Sequence, residues 1–313
     1  MKDGGGGQRV LVVDEAEAGR RLDAFLSERL SLSRAEARRL LDSGRVRTRG
    51  PRAKGALLAP GDEVRVERFR YPRDRRILPE PEVPLCVLAQ GRGWLAVDKP
   101  AGHPVHPYAE EETGSVMGAV VARYPELQGV GEGGLRSGVV HRLDVGTSGV
   151  LLVATDAEVW ERLREGFRSH RAVKRYRALV VGDPPSEGAE EVWLRVARHR
   201  PARVEVAEAG APGARRTWMR WRRLEVFRGA ALLEIWPATG FLHQIRATLA
   251  SRGCPVAGDE AYRGDLQDLT GAKRPLLHAA RLELDEVRAA SDDPPDFAAR
   301  VSRLREAGFI PRA

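Results

Sequence analysis

Gly138-Val139-Val140-His141-Arg142-Leu143-Asp144-Val145-Gly146-Thr147-Ser148-Gly149 runs directly into Val150-Leu151-Leu152-Val153. A polar loop feeding an apolar stretch of strand length puts a carboxylate, Asp144, at the start of a buried strand. Its neighbours are Val, Leu, Gly and small hydroxyls, with Arg142 and His141 as the nearby charges. A carboxylate in such a setting is costly unless it is paired or hydrogen-bonded. Two readings stand on these residues alone. Held ionised beside an arginine, Asp144 acts as nucleophile or base; as a loop cap, it accepts the amides of Gly146 or Thr147.

Three further segments set polar residues between apolar ones. In Asp98-Lys99-Pro100-Ala101-Gly102 a strand ends in a Pro/Gly loop, followed by His103 and His106. No third ligand is signalled there and Pro104 interrupts regular display, so these read as loop histidines and no metal is expected. In Val173-Lys174-Arg175-Tyr176-Arg177-Ala178, Lys174 and Tyr176 share one strand face. A tyrosine there either stacks on a base and presents its phenol, or is a core residue hydrogen-bonded at its tip. Thr239-Gly240-Phe241-Leu242-His243-Gln244-Ile245-Arg246 follows a strand and opens a helix. Ile245 and Leu249 form its core stripe, while His243 and Arg246, at i,i+3, share another face. Arg246 is either a solvated charge or, opposite a buried Asp, its paired cation.

Around these motifs, strands are expected over 94–98, 150–155, 176–181 and 231–236, and a helix carries Trp160, Leu163 and Phe167 behind Thr155-Asp156. Gly258-Asp259-Glu260-Ala261-Tyr262 and Leu276-Leu277-His278-Ala279 read as loop and strand pieces without an assignable chemistry. The tail carries a short amphipathic helix after Pro294-Pro295-Asp296-Phe297 and is expected to pack on the same domain.

Residues 9–70 have another character. Leu22, Phe25, Leu26 and Leu30 recur at helical spacing, Ser33 and Glu36 form a capping box, and Gly44 suits a left-handed C-terminal cap. Arg45-Val46-Arg47-Thr48-Arg49 is an alternating strand with three arginines on one face, beside Arg34, Arg38 and Arg39 of the second helix. Residues 71–84, basic and then Pro-rich, read as a solvated linker. This gives a small module over 9–70, a linker over 71–84 and a larger domain over 85–313.

The charge balance supports a polyanionic partner. There are 52 Lys+Arg against 44 Asp+Glu, a net charge of +8, which favours phosphate neutralisation and counterion release; free use of arginine on solvated surfaces is the plainer account. Two cysteines without CxxC spacing argue against a disulfide framework or thiolate zinc site and for a reducing cytoplasm. No apolar run approaches a membrane span.

Residues 9–70 resemble an S4 RNA-binding domain, through Gly19-Arg20-Arg21-Leu22-Asp23, Leu32-Ser33-Arg34-Ala35-Glu36-Ala37, Ser43-Gly44-Arg45-Val46 and Pro60-Gly61-Asp62-Glu63-Val64; Thr48-Arg49-Gly50 departs from the usual Val/Asn-Gly turn. The four segments in order, His-Arg-Leu-Asp with Thr-Ser-Gly above all, look like the RluA family of pseudouridine synthases over about 85–284. The resemblance implies an α+β fold, a mixed, mainly antiparallel sheet flanked by helices, after the S4-like module. It implies isomerisation of uridine to pseudouridine in structured RNA, ribosomal (large subunit) first and transfer RNA second, by a cytoplasmic monomer without cofactor. Asp144 matches the catalytic carboxylate and Tyr176 the aromatic that stacks on the flipped uracil. Arg246 matches the arginine paired with the carboxylate. Arg142, Lys174 and His243 fall among the RNA contacts, with Arg34, Arg38, Arg45 and Arg47 in the S4-like module. Three positions depart from the family: Gly240-Phe241-Leu242 for Gly-Arg-Thr, Arg136-Ser137-Gly138 for Arg-Pro-Gly, and Gly118 for a frequent Asn. Two rivals are a non-catalytic RNA-binding protein, which predicts decay of the acidic and aromatic residues, and a glycoside hydrolase, which needs a second matched carboxylate.

Overall fold

Residues 8–48, 54–199 and 201–307 are described in the structure, a computed structural model. The chain divides into Met1–Arg75 and Arg76–Ala313. In the first unit, β1 (Arg9–Val12), α1 (Leu22–Arg29), α2 (Arg34–Asp42), β2 (Val46–Thr48) and β3 (Glu63–Val66) follow one another. The strands form an antiparallel sheet in the order β1-β3-β2. The helical spacing read from the sequence buries Leu22, Phe25, Leu26 and Leu30 against Leu40, Val46, Val64 and Val66. Both halves of the Ser33–Glu36 capping box are made, and Gly44 takes a φ of 73°. Arg49 and the Thr48-Arg49-Gly50 turn lie outside the described residues in part, from Arg49 onward.

The stretch expected as a solvated linker straddles the division. Tyr71 packs on the core of the first unit. Beyond Arg75 the chain is held by the second unit: Ile77 is 1% exposed, and the Gln128 side chain amide bonds both its backbone groups. Ile77 and Glu80, which accepts the Gly114 N–H, tie down a segment that lacks periodicity.

The second unit contains β4 (Val87–Gly91), β5 (Trp94–Lys99), α3 (Val116–Arg123), β6 (Ser148–Ala154), α4 (Ala157–Arg168), β7 (Val173–Val181), β8 (Glu187–His199), β9 (Ala202–Ala207), β10 (Arg215–Phe227), β11 (Ala230–Pro237), α5 (Gln244–Ser251), β12 (Leu277–Leu284), β13 (Val287–Ala290) and α6 (Pro295–Glu306). Nine strands follow the order β4-β5-β6-β12-β7-β11-β10-β8-β9, with β13 added on β12. Among the described residues every pairing in this sheet is antiparallel except β6 with β12. The mixed, mainly antiparallel α+β fold expected from the resemblance is the fold observed.

Strand β6 is buried throughout, and apolar beyond Ser148, because both its faces are covered. Leu151 and Val153 meet α3 through Met117, Val120 and Val121. Val150, Leu152 and Ala154 meet Leu163 of α4. At the other end of the sheet, α5 covers one face through Ile245 and Leu249, and α6 the other through Phe297 and Val301. β8, β9 and β10 are not among the expected strands. In β10 the buried Thr217, Met219 and Trp221 alternate with exposed Trp218, Arg220 and Arg222, a period-2 signal hidden by its arginines. At the parallel junction Gly149 has a φ of 109°, and a Cβ there would sit 2.3 Å from the Ala279 carbonyl oxygen. Only glycine lets β6 approach β12 so closely.

Candidate active site

Asp144, Arg142, Tyr176, Lys174, His243 and Arg246, all singled out from the sequence, line one cleft of about 690 Å³. Four elements deliver them: the loop entering β6, the strand β7, the turn before α5, and α5 itself. Arg34, Arg38, Arg45 and Arg47 belong to the first unit.

The loop bearing Asp144 is pinned from several sides. His141 Nε2 accepts the Leu152 N–H at 2.8 Å, and its ring stacks on Phe167 at 4.6 Å between centroids. Burial, with Lys174 and Arg164 adding to it, pushes the His141 imidazole down to about 3. It is therefore a neutral backbone acceptor, not the charge beside Asp144 that the sequence suggested. Lys99 is fully buried and donates to the carbonyls of Pro100 and Val145 at 2.8 and 3.2 Å. Burial brings its amine down to about 7 against the opposing pull of Asp144. The Gly102 N–H bonds the same Val145 oxygen. The backbone carbonyl of Asp144, not its side chain, closes the turn by accepting Thr147 N–H.

That leaves the carboxylate free for another partner. Arg246 Nη1 donates to Asp144 Oδ2 at 3.1 Å. The rest of its guanidinium is held by Asp259, through Nε–Oδ2 at 2.6 Å and Nη2–Oδ1 at 2.8 Å. Asp259 is 1% exposed and is presented by a turn after Gly258, whose φ is 77° and whose missing Cβ would collide with the Arg274 carbonyl at 2.0 Å. Burial opposes the charge on Arg246, but the hydrogen bonds and attraction of Asp259 and then Asp144 outweigh it and raise its pKa above the ordinary arginine value. The arrangement is one fixed cation shared by a buried carboxylate and one that lines the cleft.

His243 caps α5 in the left-handed conformation, with φ 51°. Its Nδ1 lies 2.8 Å from the Tyr262 hydroxyl, which itself accepts the Val204 N–H at 2.8 Å. Burial raises the Tyr262 pKa, and the other ring nitrogen of His243, Nε2, lies 3.9 Å from Asp144 Oδ2. Tyr176 faces the same space from β7. Burial, reinforced by Asp144, raises its phenol above the ordinary value, which keeps it protonated. Lys174 donates to the Thr239 carbonyl at 2.7 Å, and burial lowers its amine to about 8. Arg142 is exposed and makes no ion pair or hydrogen bond among the described residues.

Asp259, Lys99, Tyr262 and Gln244 were not assigned roles from the sequence. Asp259 and Tyr262 stood in a loop whose partners come only from tertiary folding; Gly258 before Asp259 was the available signal. Gln244 clamps the turn before α5: its Oε1 accepts from Thr239 Oγ1 and Phe241 N–H, and its Nε2 donates to the Trp218 carbonyl. The Gly118 departure also has an explanation. A Cβ there would fall 1.9 Å from Glu80 Oε1, so the Glu80 carboxylate fills the space of a side chain and accepts the Gly114 N–H. Among the described residues no group of three or more His, Cys, Asp or Glu is placed to hold a metal ion, and no helix is long and apolar enough to cross a membrane.

In the first unit the expected RNA-binding arginines have protein partners. Asp23 has a fully buried side chain and takes Arg21, Arg34 and Arg38; the Arg21 hydrogen bond, outweighing the effect of burial together with Arg38, holds it well below the carboxylate range. Arg45 donates to the Arg68 carbonyl, and Arg47 pairs with Glu67.

Residues 93–251 match the family model described as RNA pseudouridylate synthase. An uncharacterised RNA pseudouridine synthase of Chloroflexus aurantiacus is 35% identical, covering 90% of this chain and 87% of that one. Ribosomal large subunit pseudouridine synthase D of Xanthomonas campestris is 33% identical, over 95% of this chain and 93% of the relative. Among solved structures, human RNA pseudouridylate synthase domain containing 4 superposes with a TM-score of 0.57 at 25% identity, covering 70% of this chain and 93% of that chain. With its fold, its motifs and its relatives in agreement, the chain belongs to the RluA-type family of RNA pseudouridine synthases, isomerases that convert uridine to pseudouridine within RNA.

Proposed function

We propose that this enzyme modifies uridine in large-subunit ribosomal RNA, with Asp144 as its catalytic carboxylate. The observation that carries the reading is the placement of Asp144 on the cleft wall, hydrogen-bonded to an arginine that Asp259 immobilises. The substrate reading is supported by relatives named as large-subunit ribosomal synthases, from Xanthomonas, Xylella and Yersinia. A uridine inside a helix cannot present its glycosidic bond, so the target nucleotide is extruded into the cleft. Asp144 initiates cleavage of the N1–C1′ bond. The uracil turns, C5 joins C1′, and the C5 proton leaves as N1 gains one. Tyr176 stacks on the uracil and helps remove the C5 proton; burial, with Asp144, keeps its own phenol protonated before RNA binds. Arg142, unpaired at the mouth, contacts the RNA and keeps the nucleotide out of its stack, with Lys174 and His243 nearby.

The first unit serves as an S4-type module that grips RNA by phosphate contacts. Arg34, Arg38, Arg45 and Arg47 are its contacts: one guanidinium carries five donors, so an arginine held by Asp23 or Glu67 still has donors for a phosphate. The protein acts as a cytoplasmic monomer. Mapping pseudouridine in ribosomal and transfer RNA from cells lacking the gene tests the substrate: loss of a large-subunit site is expected. An unchanged ribosomal map with a lost transfer-RNA site would move the substrate to transfer RNA.

A further inference from the structure

The turn that replaces the family's Gly-Arg-Thr is apolar, fixed, and open to the cleft. Phe241 and Leu242 line the same space as Asp144 and Tyr176, yet both are backed by Val192, Leu194, Val204 and Ala247. Phe241 is therefore half-buried, one side against the β8–β9 hairpin. Its backbone is held by Gln244 Oε1, and the preceding Thr239 is tied to Gln244 and to Trp218 N–H by its hydroxyl and to Lys174 by its carbonyl. Nothing in Thr239-Gly240-Phe241-Leu242 carries a charge, so this rim offers no grip on a phosphate. The cations facing the cleft without a carboxylate partner, Arg142 and Lys174, come from other elements. At about 690 Å³ the cleft is in the middle of the range for whole small-molecule ligands, and one uracil ring does not fill it. A rigid phenyl ring beside a nucleotide-sized space is the sequence-tolerant platform on which unpaired bases stack.

We infer that Phe241, with Leu242, forms a second base-binding subsite that takes an unpaired nucleobase flanking the target uridine. The inference rests on the reading of this cleft as the uridine-converting site and narrows its substrate to a single-stranded stretch, a loop or bulge, of at least two splayed nucleotides. Phe241 is thus a specificity-determining residue, in a position where a cation would hold backbone instead of base.

The full-length chain carrying Phe241→Leu, Phe241→Trp or Phe241→Arg tests this, with pseudouridine formation measured on a large-subunit ribosomal RNA transcript and binding measured on a labelled RNA hairpin with a uridine-containing loop. Leucine keeps the packing against the hairpin and removes the ring face, so KM and Kd should rise about five- to a hundredfold with kcat little changed. Tryptophan, a larger ring, should restore both. Arginine should make log Kd depend more steeply on log salt, by about 0.7 to 0.9. A leucine variant equal to wild type overturns the subsite, as does a tryptophan variant that falls with leucine while both keep the wild-type melting temperature. Should the wild-type protein form no pseudouridine in the transcript, the ribosomal reading fails. The subsite is then judged on hairpin binding alone, where the same order of tryptophan above leucine must hold.

Discussion

Each unit contains an ionic cluster centred on a buried charge, and the two are inverses. In the first, one carboxylate, Asp23, is surrounded by Arg21, Arg34 and Arg38, whose side chains remain 49, 56 and 50% exposed. In the second, one arginine, Arg246, is divided between two carboxylates, with side-chain exposures of 10% for Arg246, 17% for Asp144 and 1% for Asp259. The first arrangement organises cations that stay at the surface with positive charge to spare, which suits a polyanion. The second hides its cation and presents negative charge to a cleft. A difference in stoichiometry and burial, not in residue type, separates the two clusters.

That contrast is open to direct attack. Asp144→Asn removes the group that the second cluster presents while keeping its volume; pseudouridine formation should vanish with folding intact by circular dichroism. Retained activity would sink the assignment of Asp144 as the catalytic carboxylate. Asp259→Asn leaves Arg246 charged but loosely held, and kcat should drop roughly 10- to 100-fold, as for residues that orient a reacting group through a neighbour, with KM near wild type. A wild-type kcat would show that Asp144 alone positions the arginine.

Lys99 belongs to the second neighbourhood as a buried cation without a carboxylate contact. Its native pKa, about 7, lies below that of the unfolded chain, so between about pH 7 and 10.5 the unfolded state binds more protons and stability rises with pH. Lys99→Met should flatten that rise in urea unfolding measured at pH 7 and pH 10; an unchanged slope would mean Lys99 is not the titrating group. The smallest effect is expected in the first cluster. Replacing Arg34 or Arg38 by Ala should weaken RNA binding modestly and make its salt dependence shallower by roughly 0.7 to 0.9 per lost phosphate contact. A loss of binding with no change in salt slope would assign that arginine to Asp23 alone.

Motifs that carry side chains to one place were readable in the sequence, because strand and helix periods are local. The capping box at Ser33, the stripe of α4 and the face shared by Lys174 and Tyr176 all follow from spacing. Spacing left Arg246 either a solvated charge or the partner of a buried Asp, and the family resemblance supplied the pairing with Asp144. The identity of third parties was not readable. Asp259 comes from a loop of no period, and His141 gives its nitrogen to a strand N–H eleven residues on. Their roles depend on elements brought together only by the complete sheet.

The parallel pairing of β6 with β12 carries a consequence for synthesis. Ser148 and His278 meet there across 130 residues, and β12 is inserted between β6 and β7, which precede it and do not pair with each other. A growing chain has therefore made Asp144, Tyr176, Arg246 and Asp259 before it has made the strand that sets their spacing. Such distant pairing is slow to close. A chain cut short of Leu277 would own every side chain of the site and no site, while its first unit, already complete, could fold. Topology here works as a timer: the first unit early, the cleft last.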